Sequence, residues 1–334
     1  MKKRGLKLNL VLFSLILVLL FVSVFITACT GSKTEVEKTH ITIAINQWPG
    51  FATAFIAQEK GFFKKNNVSV ELVFDIADAD SAKKYKHRDV EGIFNVFTDS
   101  IFNYAEGLMT KVVYITDYSD SGDVIIGKKE FNSLKDLKGK KIGVDGINSF
   151  SHLFVLASLE KAGLSENEVQ FESVSAQQVL EALDIGRIDA GHTWEPTKSA
   201  ALAKGYKQLG KAGDIPGIIT DVLVFNNDIV KERPEEIKAI VKSMMEAKEF
   251  LDKNPEEAIR IMAEKEEMTV EEMALGLKGI HQPSIEEMLL AMAPGGYLYT
   301  SGGYISNFYI ERGQISMKPD LGKIVTPEFI EQIK

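Results

Sequence analysis

Cysteine is nearly absent: Cys29 is the one cysteine in 334 residues. An internal disulfide is thereby excluded, and so is any site that needs two thiolates. Histidine is scarce and scattered. His40, His87, His152, His192 and His281 show no paired spacing, so no metal site is expected. Asp75, Asp78 and Asp80 lack the spacing and the glycine of a calcium loop, and they read as a solvated loop. The run Lys138-Gly-Lys-Lys141 lacks the upstream glycine of a phosphate-binding loop and reads as a charged turn. Basic charge is in deficit, with 39 Lys and Arg against 47 Asp and Glu and a net charge of −8. That balance argues against nucleic acid as a partner. Beyond residue 26 no long apolar run exists, so the body of the chain is not expected to span a membrane.

What is present begins with export. Lys2, Lys3, Arg4 and Lys7 precede an apolar run over 10–26 that only Ser14 and Ser23 interrupt. Thr27, Ala28 and Cys29 follow, then a polar stretch. Basic, apolar, small and polar, in that order, is the layout of a secretory signal. The segment Ile26-Thr27-Ala28-Cys29 resembles a bacterial lipobox, in which the chain is cut before the cysteine and the thiol carries diacylglycerol. Residues 1–28 are therefore expected to form a lipoprotein signal peptide, Cys29 the lipidation site, and 29–40 a short tether. An uncleaved anchor is the competing reading, because 17 apolar residues lie near the lower limit for spanning a bilayer. Removing 1–28 takes away four basic residues and no acidic one, leaving −12. With its cysteine committed to lipid, the body must fold on its core alone.

From Ile41 onward, short runs rich in Val, Ile and Phe alternate with helix-length segments. Strands are expected at 41–46, 68–74, 92–97, 111–116, 124–127, 141–145, 169–174, 190–194 and 221–226. Helices are expected at 52–60, 100–107, 151–162 and 177–184. Alternation of this kind predicts an α/β fold with mainly parallel sheets and flanking helices. Ser165…Glu168, Thr269…Glu272 and Ser284…Glu287 have capping-box form. Asn254-Pro255 puts a cap before a proline at the first helical position. From Pro234 the chain reads as helical for about 60 residues. Pro294-Gly295-Gly296 and Gly302-Gly303 read as turns, with a last helix around 304–312. The texture changes near Asp117–Asp123 and again at Phe225–Asp228. One lobe is then made of 41–118 and 226–334, and a second of 119–225.

Five segments in order resemble one family. They are Ile41 to Gly50 with Ala57-Gln-Glu-Lys-Gly-Phe-Phe63, Gly92 to Gly107, Leu134 to Gly143, Gly186 to Ala190 with Thr193-Trp-Glu-Pro196, and Gly313-Gln-Ile315. Together they resemble the substrate-binding proteins of ABC importers for nitrate, sulfonates, taurine and thiamine-precursor pyrimidines. The resemblance implies a two-lobed type II periplasmic-binding-protein fold that closes over a small-molecule ligand. It further implies an extracytoplasmic, monomeric receptor, anchored to the cell membrane through its lipid, that hands its ligand to an ABC permease with its ATPase. No cofactor is expected. The alternative is a ligand-sensing module of the same fold that signals to a membrane partner. An enzymatic branch of the family uses a cysteine-rich motif, which this chain lacks, so no catalytic residue is expected.

Ligands of open α/β sheets bind beyond the carboxyl ends of strands. That rule selects Asn46, Trp48 and Phe51 after the first strand, and Thr98 and Asp99 after the third. After the sixth it selects the loop Asn148, Ser149, Phe150 and Ser151. Thr193, Trp194 and Glu195 follow the eighth, and Asp221 opens the ninth. Trp48 and Trp194 suit stacking on a planar ligand. Asn148, Ser149 and Ser151 have a competing role as helix caps, and Glu195 as a carboxylate at a helix start. These loops carry no Arg or Lys, which would ordinarily meet an anion. Asp99, Glu195 and Asp221 instead favour a ligand with donors, such as a taurine-like zwitterion or an amino-pyrimidine.

Overall fold

All nine expected stretches fold as strands in the computed structural model, which describes residues 40–333. Cys29, the expected signal segment and residues 30–39 lie outside the described residues. The strands are β1 (Ile41–Asn46), β2 (Val70–Asp75), β3 (Gly92–Val96), β4 (Thr110–Ser119), β5 (Val124–Gly127), β6 (Lys141–Val144), β7 (Gln170–Ser173), β8 (Ala190–Thr193), β9 (Lys207–Lys211), β10 (Thr220–Asn226) and β11 (Ile280–His281). Strands β9 and β11 carry no alternation in the sequence and were not expected.

Two sheets form, ordered β11-β4-β10-β3-β1-β2 and β7-β6-β8-β5-β9. Both are mixed. In the first, β1 pairs in parallel with β2 and β3, while β10 runs antiparallel to β3 and β4. In the second, β6 pairs in parallel with β7 and β8, while β5 runs antiparallel to β8 and β9. The antiparallel strands flank the two crossovers, where the chain leaves one sheet and returns. Strand β1 is buried at every residue but Thr42, as a central strand of a covered sheet is.

The return crossover ends before Thr220. The sequence-based boundary at 225/226 assigned 220–225 to the second lobe, but β10 is hydrogen-bonded between β3 and β4 of the first sheet. Its ladder outweighs the turn-like composition at Phe225–Asp228, which instead starts the helix Asn227–Glu232.

Three further corrections concern local structure. Residues Asp78–Lys86 form a helix with Asp78 and Asp80 in its first turn, where carboxylates favour the dipole; they are not a loop. The last long helix spans Tyr297–Glu311 and runs through Gly302-Gly303. A Cβ on Gly302 would come within 2.9 Å of Leu321 and 3.1 Å of Phe97, so this glycine serves a close approach between helices and not a turn. Asn254 precedes a helix that starts at Pro255, as expected, but its side chain bonds back to the Phe250 carbonyl. The capping boxes at Thr269 and Ser284 form with both partners in place. No helix among the described residues is long and apolar enough to cross a membrane.

Candidate ligand-binding site

The carboxyl ends of β1, β3 and β4 and the start of β10 share one edge of the first sheet, since β3 and β4 are both antiparallel to β10. Asp221 sits in register between Val96 and Asp117 there. The ends of β6 and β8 and the start of β5 share one edge of the second sheet. A cavity lies between these edges, lined by Asn46, Trp48, Phe51, Asp78, Val96, Asp123, Phe150, Trp194, Ile219 and Asp221. Its free space is about 20 Å3, room for one or two waters. The two indoles meet across it edge to face, with ring centroids 6.2 Å apart. Phe150 lies 6.3 Å from Trp194. A ligand of more than a few atoms must part these rings to enter.

Trp48 is held on a tightly turned loop. Its indole Nε1–H donates to Asp117 at 3.2 Å, and its amide to Glu266 Oε1 at 3.2 Å. Gln47 Nε2 donates to the Glu266 carbonyl at 2.8 Å. The loop can approach because residue 50 is glycine: a Cβ there would overlap Asp117 Oδ2 at 1.7 Å.

The electrostatics are lopsided. Among the ten lining residues are three carboxylates and no Lys, Arg or His. Asp117 and Asp221 are hydrogen-bonded to each other. Burial raises the Asp117 carboxyl to about 7, against hydrogen bonds from Asp221, Trp48 and Thr116 that lower it. Burial, then the neighbouring Asp117 and Asp123, push Asp221 well above the usual carboxylate range. Both carboxyls are therefore shifted towards the protonated form. Burial does the same to Glu266. On the far wall, desolvation followed by Asp99 and Asp145 raises Asp78, and desolvation raises Asp99 to about 7.

Asp123 has a different setting. His192 Nε2 lies 2.8 Å from Asp123 Oδ1, and His192 Nδ1 lies 2.8 Å from Ser151 Oγ. The Asp145 amide donates to that same Ser151 oxygen at 2.9 Å. Three buried oxygens that face the cavity have no hydrogen-bond partner: Asn46 Oδ1, Asp123 Oδ2 and Asp221 Oδ2. Their residues are 5%, 2% and 2% exposed. Buried oxygens without donors cost about 1–3 kcal/mol each, so the site is built to receive donors.

Of the residues expected from strand ends, Asn46, Trp48, Phe51, Trp194 and Asp221 line the cavity, as does Phe150 of the expected loop. Seven others do not. Ser149 caps the helix Phe150–Lys161, and Ser151 joins the His192 chain. Asn148, at φ 67°, donates its amide to His152 Nδ1. Thr193 Oγ1 donates to the Ala176 carbonyl at 2.7 Å. Glu195 accepts from the Ser199 amide at 3.1 Å and lies 3.5 Å from Lys198 Nζ, the contacts of a carboxylate at a helix start. Thr98 is buried with its hydroxyl unpaired. Asp99 lies in the first turn of the helix Phe97–Ala105, behind Asp78. Sequence reasoning missed Asp78, Asp117, Asp123 and Glu266. Asp117 and Asp123 bracket the first crossover, and a crossover between two lobes borders the cleft between them; that signal could have found them.

Comparison with known proteins places these features in context. The model of the family described as NMT1/THI5 like matches residues 48–258. A putative binding protein of Brucella abortus is 33% identical over 157 residues, 46% of this chain and 49% of that one. The chain thus spans about half the length of such curated relatives. A putative thiamine biosynthesis protein of Haemophilus influenzae is 27% identical over 230 residues, 66% of this chain and 72% of that one. Among solved structures, the ligand-binding component of an ABC-type import system from Staphylococcus aureus superimposes with a TM-score of 0.73 at 17% identity, covering 88% of this chain and 98% of the other. The two-lobed periplasmic-binding-protein fold is thereby shown.

Proposed function

This chain belongs to the NMT1/THI5-like family, and from that premise we propose that it is the extracytoplasmic solute-binding component of an ABC importer. It captures a small nitrogen-containing organic solute with a flat face, of the amino-pyrimidine type, by closing two lobes over it. A permease with its ATPase then receives the ligand. One observation carries the ligand class: three buried cavity oxygens lack donors, while no basic side chain lines the cavity. An amine or ring N–H would satisfy them, and the indoles would cover its faces. Sulfonate or nitrate would place acceptor oxygens against acceptors, which disfavours the taurine-like alternative.

A catalytic reading draws on the Ser151–His192–Asp123 chain, which has the connectivity of a hydrolase triad. The Ser151 side chain is fully buried and does not line the cavity. No substrate can reach it there, so the chain serves to hold Asp123.

A thermal-shift screen tests the ligand class. Amino-pyrimidines should raise the melting temperature, by the equivalent of about 2.7 kcal/mol at roughly 100 times the dissociation constant. Taurine, alkanesulfonates and nitrate should not; stabilisation by these alone would reverse the assignment. The proposed anchor is checked by fractionation. Cys29→Ser should move the protein from the membrane to the soluble fraction, and continued membrane retention would point to an uncleaved helix.

A further inference from the structure

Asp123 is the carboxylate that the second lobe brings to the cavity. Its Oδ1 is fixed by His192, and its Oδ2 is free. The protons of the chain can be assigned from its partners. The Asp145 amide occupies one lone pair of Ser151 Oγ, and no acceptor other than His192 Nδ1 is recorded for that hydroxyl. The hydroxyl therefore donates to Nδ1, and Nε2–H donates to Asp123. His192 is fully buried. Phe150, Phe154 and Trp194 enclose its ring. Asp123 is thus held at Oδ1 by one hydrogen bond, while no group meets its Oδ2. Its one recorded ionic partner among the described residues is that same His192.

The groups across from it do not compensate either. Asp117 and Asp221 face it from the first lobe and are both shifted towards the protonated form, and Asp78 lines the same space. Asp123 and Asp221 both sit beside the crossovers, at the floor of the cleft. When the lobes part, water reaches that floor. Closing the lobes would bring the first-lobe side chains Trp48 and Phe51 over Asp123, and Phe150 and Trp194 over Asp221, and so displace that water. Burying a carboxylate is costly unless a counter-charge takes the place of water.

We propose that Asp123 makes the site selective for a positively charged ligand, because closure over its free oxygen is favourable only when the ligand supplies the missing charge. This rests on the solute-binding reading above and sharpens it: a neutral molecule of the same shape would fit but would not close the lobes. The charge then acts twice, in recognition and in setting the open–closed balance.

Two measurements on the full chain test this separately. The first needs no ligand. Small-angle X-ray scattering should give a larger radius of gyration for the wild-type protein than for Asp123→Asn, whose side chain still accepts from His192. Equal radii would overturn the proposal. The second uses benzamidinium and benzamide, a flat cation and its neutral counterpart, in calorimetric titrations. The wild type should prefer the cation by roughly tenfold or more, the difference between a charge-assisted and a neutral hydrogen bond. In Asp123→Asn the preference should fall towards one. The wild-type ratio is read on the unaltered protein, so a variant that fails to fold does not shield the idea: a ratio near one sinks it. Should neither compound nor any amino-pyrimidine bind, the solute-binding reading of the site fails, while the scattering comparison still decides the closure argument.

Discussion

Asp117 is where three demands meet. It anchors Trp48 through the indole N–H, is hydrogen-bonded to Asp221, and lies against the Gly50 backbone. Burial raises its carboxyl from 3.8 to about 7. A carboxyl raised in this way is most favourable to the fold while protonated. Its contribution is complete below its ordinary value and is lost as the pH climbs through about 7. Asp117→Asn keeps an acceptor for Trp48 and removes the charge. The variant should match the wild type at pH 4 and exceed it at pH 8 by on the order of 1–3 kcal/mol, with weaker ligand binding as the counterpart. Urea unfolding at the two pH values checks this; equal stability at pH 8 would show that the charge is not buried at a cost. At this scale the sequence was partly legible. Asn46, Trp48, Phe51, Trp194 and Asp221 followed from strand ends alone. Asp78, Asp117 and Asp123 did not, because an aspartate among Ser, Lys and Gly looks solvated whatever the fold later folds over it. Glu195 follows a strand too, but it lies outside the cavity lining and accepts from the amide of Ser199.

Among elements, apolar strands were legible and polar ones were not. β1, β3, β5 and β10 are rich in Ile, Val, Leu and Phe, and the structure agrees with the expected bounds to within a residue. β9 reads Lys-Gln-Leu-Gly-Lys, and nothing in that pattern marks a strand; it forms because β5 offers it an edge. The helix Tyr297–Glu311 shows how packing overrides propensity. Gly302-Gly303 reads as a break, yet the helix runs on because Gly302 faces Phe97 and Leu321 at close range. Its neighbour Gly303 would meet only the tip of Lys318, at 3.4 Å. The two glycines should therefore respond with opposite signs. Gly302→Val should destabilise by about 1–3 kcal/mol through overpacking. Gly303→Ala should stabilise by up to about 1 kcal/mol through helix propensity. Equal effects in thermal unfolding would mean that the helix interface is looser than its geometry indicates.

For the whole molecule, the two-lobe plan was visible because five family-like segments occur in order, while the second crossover was misplaced by six of the seven residues of β10, which carry no lobe label of their own. What no sequence pattern revealed is how the lobes touch away from the cavity. The helix Tyr297–Glu311 packs on the helix Phe97–Ala105 of the first lobe. Beyond its end, Arg312 reaches the second lobe and pairs with Glu166, with its guanidinium 4.0 Å above the Phe308 ring. Phe308 in turn meets His152, which stacks edge to face on Phe171 at 4.3 Å. Burial, then Arg312, lower His152 to about 4, so at neutral pH this contact is an uncharged ring beside one ion pair. Such a clasp contributes only while the lobes are together. Arg312→Ala removes a half-exposed ion pair worth about 0.2–1 kcal/mol and a cation–π contact of about 0.5–1 kcal/mol. Ligand affinity should fall by roughly three- to thirtyfold. The loss should lie in faster release with little change in capture, because encounter happens with the lobes apart and only the closed form makes the contact. Stopped-flow fluorescence of Trp48 and Trp194 resolves the two rates. A slower capture with unchanged release would mean that Arg312 acts on the open form, and that the contact at Glu166 is no clasp.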